Sequence, residues 1–289
     1  MIDDLDGRVA VVTGAASGIG RALAVRCAAE GMRVVAADVE EPPLTDTVTT
    51  ISEAGGTAIG QVCDVSDWDA VDALRAATAD AFGTADLVVN NAGVSGTGPF
   101  GTLDLATWRW TLGVNLWGVI HGITAFLPGM VERGSGHIVN TASIAGHLTS
   151  PSMGPYNASK HAVVAISETL HEEMLQASTG VGVTCLCPGF VATNIVDSER
   201  NRPEEHLPPG SPGPVDLGEA AAAVRDAYAA QLDPDVVAGQ VVDAVRAGDF
   251  WLFTDHSADD MIRERHADIE ARRTPGPRPH LLELMFGDT

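Results

Sequence analysis

The stretch that decides the fold is Arg8-Val9-Ala10-Val11-Val12-Thr13-Gly14-Ala15-Ala16-Ser17-Gly18-Ile19-Gly20. Its first six residues are strand-like and rich in β-branched side chains, its glycines mark a turn, and the Ala-rich pattern from Arg21 to Glu30 reads as a helix. Strand, glycine turn and helix in that order make a phosphate cradle. Glycines let the backbone come close to a pyrophosphate, and the helix N-terminus presents free N–H groups. The spacing is G-x-x-x-G-x-G rather than the commoner G-x-G-x-x-G. A tight βα turn without a ligand looks similar, so context decides.

Working outward, a second strand, Arg33 to Ala37, ends in Asp38, eighteen residues past Gly20. A carboxylate there accepts hydrogen bonds from adenosine ribose hydroxyls and repels a 2′-phosphate. Neither Ser17 nor Val39, where a basic side chain could greet that phosphate, is charged. NAD(H) is therefore preferred over NADP(H), against the plainer reading of a solvated strand-end Asp. A helix pattern from Leu44 to Ala54 leads to a third strand, Thr57 to Val62, and to Cys63-Asp64-Val65. Asp64 is placed either to meet an adenine amino group or to cap the following turn. A helix over Asp67 to Phe82 and a strand over Asp86 to Asn90 follow, closing in Asn91-Ala92-Gly93.

A long helix is expected from Leu105 to Arg133, with the uncharged Asn115 amide among Leu112, Val114, Leu116 and Trp117. A buried amide needs partners, so Asn115 is satisfied structurally or placed for function. The fifth strand, His137 to Ala142, delivers Ser143. A helix runs from Tyr156 to about Ala177, and a sixth strand, Val181 to Cys187, ends at Pro188-Gly189-Phe190-Val191-Ala192-Thr193. Helices at about Asp216 to Leu232 and Pro234 to Ala247 precede a seventh strand, Phe250 to Thr254. This alternation predicts an α/β fold: a single Rossmann-type, doubly wound domain with a parallel sheet of about seven strands and helices on both faces. Ligands bind at strand carboxyl ends in such sheets, so the residues named should gather along one edge.

The segment Tyr156-Asn157-Ala158-Ser159-Lys160 carries the chemistry. On a helix, Tyr156 and Lys160 share a face, and an adjacent cation favours phenolate and lowers the phenol pKa. Tyr156 is then a proton-exchanging group near neutral pH, with the Ser143 hydroxyl at a strand end to hold a substrate oxygen.

The chain has 289 residues, 45% of them hydrophobic and 19% charged, which suits a sizeable core. Residues 1–256 are expected to form the dinucleotide-binding and catalytic domain, and 257–289 a helical arm with the apolar cluster Leu281, Leu282, Leu284, Met285 and Phe286. The proline-rich loop 194–215, with Pro203, Pro208, Pro209, Pro212 and Pro214, is expected to be an irregular substrate lid. With 17 basic against 39 acidic residues the formal charge is −22, which opposes nucleic acid and anionic membrane surfaces as partners. Cys27, Cys63, Cys185 and Cys187 lack the spacing of a disulfide framework or a metal motif, so buried thiols and no metal are expected. The N-terminus has no basic or apolar leader, and no apolar run approaches the roughly 18 residues of a span, so a cytoplasmic protein is expected.

Together, Thr13-Gly14-x-x-x-Gly18-x-Gly20, Asn90-Asn91-Ala92-Gly93, Ser143, Tyr156-x-x-x-Lys160 and Pro188-Gly189 resemble the short-chain dehydrogenase/reductase family, in its shorter-chain branch, over roughly residues 5 to 254. The resemblance implies that Tyr156 is the acid/base, that Ser143 positions the substrate oxygen, and that Lys160 lowers the tyrosine pKa and holds the nicotinamide ribose. It implies further that Asn115 holds a water in a proton relay and that Thr193 bonds the nicotinamide carboxamide. Gly14, Ser17, Gly18, Ile19 and Gly20 would surround the pyrophosphate, and Asn90 and Gly93 the adenosine ribose. Asp64, Val65, Asn91, Ala92, Pro188, Gly189 and Val191 would complete the cofactor site.

The implied reaction moves a hydride between a secondary alcohol carbon and the nicotinamide, with NAD(H) as cofactor and a small-molecule alcohol or ketone as partner. Ser95, Ala145, His147, Met153, Phe190 and Ile195, with Val94 and Thr149, form the expected pocket wall, mostly apolar, which suits a hydrophobic or alicyclic substrate. His147 reads equally as a solvent-facing loop residue. A non-catalytic NAD-binding regulatory or scaffold protein is the alternative from another class, and an epimerase or dehydratase the alternative within enzymes. Two departures stand out: about 35 residues follow the last strand, and the lid is long and proline-rich. A homo-oligomer, tetramer or dimer, is expected by the resemblance.

Overall fold

A computed structural model describes residues 2, 4–207 and 225–276 of the chain. Its frame is one parallel sheet of seven strands: β1 (Val9–Thr13), β2 (Arg33–Asp38), β3 (Thr57–Val62), β4 (Leu87–Asn90), β5 (Gly136–Thr141), β6 (Val181–Cys187) and β7 (Trp251–Phe253). The order is β3-β2-β1-β4-β5-β6-β7. Every residue of β1, β4 and β5 is buried, because helices cover both faces of the central strands. The edge strands β3 and β7 are partly exposed.

One face packs under α1 (Gly18–Ala29) and α7 (Pro234–Ala247), with Leu23, Cys27, Val241 and Val245 meeting Val12, Val34, Val89 and Leu186. The other packs under α3 (Trp68–Phe82) and α5 (Gly118–Arg133), with Leu74, Phe126 and Met130 meeting Val11, Val88 and Ile138. After β3 the chain returns to the far side of β1, so β1 and β4 pair as Ala10 with Leu87 through Val12 with Val89. Beyond that register their ends open a crevice at the point where strand order reverses.

Local chemistry explains where the elements start. Helix α2 (Glu41–Glu53) opens three residues earlier than its apolar pattern, because Pro42 and Pro43 occupy first-turn positions that need no N–H partner. Asp67 caps α3, its side chain accepting from the Asp69 N–H at 3.0 Å. The expected helix over Leu105 to Arg133 is continuous in extent but not regular. It comprises α4 (Leu105–Leu112), a π-helical turn at Gly113–Trp117 and α5, and the π turn carries Asn115. By length and composition alone this run could cross a membrane, contrary to the sequence reading; here it packs on β4, β5, α3 and α6 (Gly154–Gln176).

The segment after β6 also departs from expectation. Its described part is two 3-10 helices, Asn194–Asn201 and Glu204–His206, rather than an irregular loop, with Pro203 at the junction. Pro203 falls between the two, as the N-cap of the second, so neither loses an internal N–H bond to it. Residues 208–215, the start of the helix expected from Asp216, and the apolar cluster at Leu281 to Phe286 lie outside the described residues. The charged helix expected after the last strand is present as α8 (Asp259–Glu270). All four cysteines are buried and free.

A polar chain crosses the core beside the crevice. Asn90 Nδ2 donates to Asn140 Oδ1 at 2.9 Å, Asn140 Nδ2 to Ser167 Oγ at 3.0 Å, and Ser167 Oγ to the Val163 carbonyl at 2.8 Å. Asn90 therefore faces α5 and is turned away from the crevice, which corrects its expected place beside the ribose. Gly122 allows this, since a Cβ there would collide with Asn90 Oδ1. Gly122→Ala should lower stability by ~1–3 kcal/mol through overpacking, read as a reduced urea midpoint at unchanged slope.

Candidate active site

The strand ends converge on one cavity, and the glycine turn forms its floor. Gly18 has φ +52°, in the left-handed region, and a side chain there would press on Thr193 Cγ2 at 2.9 Å. The turn is thereby sealed against the loop that follows β6. Ser17 caps α1 without a side-chain bond, which leaves the N–H groups of the first turn to the cavity that Ser17, Gly18 and Ile19 line. Gly20 is not on the wall: a Cβ there would strike the Gly14 carbonyl and Asn91 Nδ2, so its role is close packing within the turn.

Across the crevice, the Asn91 and Ala92 N–H groups donate to Thr13 Oγ1 at 2.9 and 3.1 Å, and Asn91 Nδ2 donates to the Thr13 carbonyl at 3.0 Å. These bonds tie β4 to β1, and Asn91, Ala92 and Gly93 line the cavity. At the β2 end, Asp38 accepts the Ala16 N–H at 2.9 Å and the Glu40 N–H at 3.1 Å. Burial raises its pKa against the pull of those bonds. Asp64 accepts from the Ser66 N–H and hydroxyl at 2.9 and 2.7 Å, so its capping role is realised, and it and Val65 still line the cavity.

At the opposite end, Ser143, Tyr156 and Lys160 line the same space. Lys160 Nζ lies 5.7 Å from the Tyr156 ring centre and donates to the Thr141 carbonyl at 2.7 Å. Ser143 Oγ accepts the Ala145 N–H at 3.1 Å, which holds the hydroxyl on the cavity wall. The shared helix face of Tyr156 and Lys160 is as expected, but the direction of the tyrosine shift is not. Burial raises the Tyr156 pKa, and the interaction that lowers it comes from Ser143. The reason is desolvation of the phenol itself, which disfavours phenolate; the same burial brings Lys160 down to about 8.

Asn115 stands behind the cavity rather than on its wall. Its Oδ1 accepts the Val94 N–H at 2.8 Å, and Nδ2 donates to the Val94 carbonyl at 2.9 Å and Ser159 Oγ at 3.2 Å. Both donors are taken, while Oδ1 keeps an acceptor position. A Cβ on Gly93 would lie 3.6 Å from that oxygen and 3.7 Å from Lys160 Nζ, so both atoms face one small volume.

Ser95, Ala145, Met153, Phe190 and Ile195 line the cavity, as do Pro188, Gly189, Val191 and Thr193. His147 does not. The 3-10 turn Ile144–Gly146 carries it toward β7, where its Nε2 lies 3.5 Å from Cys187 Sγ and its ring packs 5.3 and 5.2 Å from the rings of Trp251 and Phe253. Other wall residues went unread in the sequence. Trp110 and Val114 come from the α4 and π segment, and Ser198 Oγ, from the first 3-10 helix, accepts the Ser95 N–H at 2.8 Å. Tyr228 packs edge-on against Phe190, 5.9 Å between ring centres, so both tyrosines of the chain border this cavity. Only the helical periodicity around Trp110 could have signalled any of these.

Residues 8–204 match the short chain dehydrogenase family model, and the chain belongs to that family. A short chain dehydrogenase/reductase from Burkholderia phymatum, solved in complex with NAD, is 43% identical and superposes with a TM-score of 0.90 over 96% of this chain and 99% of its own. The 1-deoxy-11-beta-hydroxypentalenate dehydrogenase of Streptomyces arenae is 34% identical over 96% of this chain and 93% of its own length. The probable oxidoreductase EphD of Mycobacterium tuberculosis (strain ATCC 25618 / H37Rv) is 43% identical over 186 residues, 64% of this chain; that match spans only 31% of the relative's length.

The burial that turns His147 away from the cavity has a measurable consequence. Burial lowers His147 to about 4, and does the same to His137 in the sheet core, from an ordinary 6.5. Between those pH values the unfolded chain holds more protons than the folded one, so stability is full above 6.5 and falls as the pH drops toward 4. In urea titrations across that window, His147→Phe, which keeps a ring against Trp251 and Phe253, should show a slope shallower by roughly one proton.

Proposed function

We propose that this protein is an NAD(H)-dependent oxidoreductase that interconverts a secondary alcohol and its ketone, with a hydrophobic or alicyclic substrate. The observation that carries the reading is one cavity joining the glycine turn and Asp38 at one end to Ser143, Tyr156 and Lys160 at the other. The uncapped first turn of α1 and the Asp38 carboxylate suit a dinucleotide's pyrophosphate and ribose hydroxyls. The NAD-bound relative from Burkholderia phymatum supports the same cofactor class.

When bound, the nicotinamide supplies the hydride acceptor or donor. The chain's own residues do the rest. Ser143 holds the substrate oxygen, and Tyr156 Oη takes the alcohol proton or returns one to the ketone. Lys160, anchored by the Thr141 carbonyl, presents its ammonium to the tyrosine and to the volume it shares with Asn115 Oδ1, a path for the proton through water. Because burial holds the phenol up, alcohol oxidation, which needs phenolate, is favoured as the pH rises, and ketone reduction as it falls. The wall formed by Met153, Phe190, Ile195 and Trp110 excludes water and offers apolar contact to the substrate.

Tyr156→Phe should lower kcat on a turned-over alcohol by on the order of 10²–10⁴ while NADH binding, followed by nucleotide fluorescence, is unchanged. Near-native turnover in that variant would refute the assignment. The substrate comes from a screen of steroid, terpene, aromatic and sugar alcohols for NADH formation. With the best of these, kcat/KM should be higher for NAD than for NADP; the reverse order would show that Asp38 does not read the ribose.

A further inference from the structure

The adenosine end of the cavity contains a cation brought from far along the chain. Arg200, in the 3-10 helix Asn194–Asn201, donates from Nε to Glu40 Oε1 at 3.1 Å and from Nη2 to Glu40 Oε2 at 2.6 Å. Asn201 Nδ2 adds a bond to the same Oε2 at 3.0 Å. The remaining arm of the guanidinium is fixed, with Nη1 donating to the Asn194 and Asp197 carbonyls at 3.3 and 3.1 Å. Glu40 stands two residues past Asp38 and donates its N–H to Asp38 Oδ1, and all three side chains border the cavity.

The two-pronged edge that an arginine offers a carboxylate is the edge it offers a phosphate. Here that edge is filled from within the protein. The pair is no loose surface contact: the side chains of Arg200 and Glu40 are 35% and 25% exposed. The bonds from Arg200 outweigh burial and hold the Glu40 carboxyl below the ordinary range.

We propose that Glu40 is a cofactor-selecting residue that works by occupying Arg200, so that a 2′-phosphate beside Asp38 meets two carboxylates and an arginine already paired. The inference rests on the reading of Asp38 as the ribose acceptor. Asp38 supplies repulsion, and Glu40 withholds a fixed guanidinium at this end that could offset it. Removing the Glu40 charge leaves Arg200 in place, held by its two carbonyls, with its paired edge turned to the cavity.

Dissociation constants for NADH and NADPH, measured by fluorescence on the full chain and on Glu40→Gln, Arg200→Met and the double variant, test this without turnover. In Glu40→Gln, NADPH should bind ~10-fold more tightly, about the worth of one charge-assisted bond, while NADH affinity holds and reports an intact fold. The gain should vanish in the double variant. A gain that survives the loss of Arg200 would mean that removing a carboxylate is the whole effect, and would overturn the proposal. NADH preference in the unaltered protein with no gain in Glu40→Gln would overturn the proposal and leave the Asp38 reading standing. Equal affinities in the unaltered protein would overturn both.

Discussion

The structure depends on the bonds by which Asn91 grips Thr13. Parallel strands diverge where their order reverses, and a crevice that only diverged would be a wedge of uncontrolled width. The Asn91 and Ala92 N–H groups on Thr13 Oγ1, and the Asn91 amide on the Thr13 carbonyl, set that width. Gly20 then permits the glycine turn to fold down onto the same asparagine, and Gly14 to approach Ala92. The floor of the cavity is backbone against backbone. The free N–H groups beside it are those of the first turn of α1, which need no reorganisation when an anion arrives.

That arrangement answers a difficulty posed by composition. A chain with a formal charge of −22 repels an anionic dinucleotide at long range. Attraction has to come from within about a Debye length, ~8 Å at physiological salt. The first turn of α1, Lys160 and Arg200 supply it locally, and two of those three are constrained. Lys160 is buried and brought down to about 8, and Arg200 is paired with Glu40. Of the three, the first turn of α1 is the one left unconstrained, its N-cap Ser17 making no side-chain bond.

Much of this was legible because it is local. β3, β6 and α7 occupy the ranges their apolar patterns predict, and the four-residue spacing of Tyr156 and Lys160 puts them on one helix face. The family's motifs added Asn115 and Thr193. What escaped is of two kinds. The π turn at Asn115 and the 3-10 turn that carries His147 to Trp251 are changes of helical pitch that leave no periodic trace. Arg200 and Tyr228 reach the cavity through the tertiary course of the segment after β6, and Glu40 and Arg200 are 160 positions apart. The direction of the tyrosine shift escapes the sequence for an energetic reason: spacing shows a neighbouring cation, but not the burial that penalises the phenolate.

The two arginines of the lid are not equivalent. Arg202 is the buried one, with a side chain 7% exposed. It donates to Thr107 Oγ1 at 2.8 Å and to the His206 carbonyl at 2.8 Å, lies 3.6 Å from Asp104, and packs 5.4 Å over the Trp110 ring. Detaching it would strand a charge among groups arranged for it, which is far more costly than separating a partly exposed pair. Arg200, on the other flank, is held to Glu40 at the cavity edge by two bonds between partly exposed side chains. The segment after β6 is therefore held against α4 by a buried cation and at the adenosine end by a two-pronged, partly exposed pair.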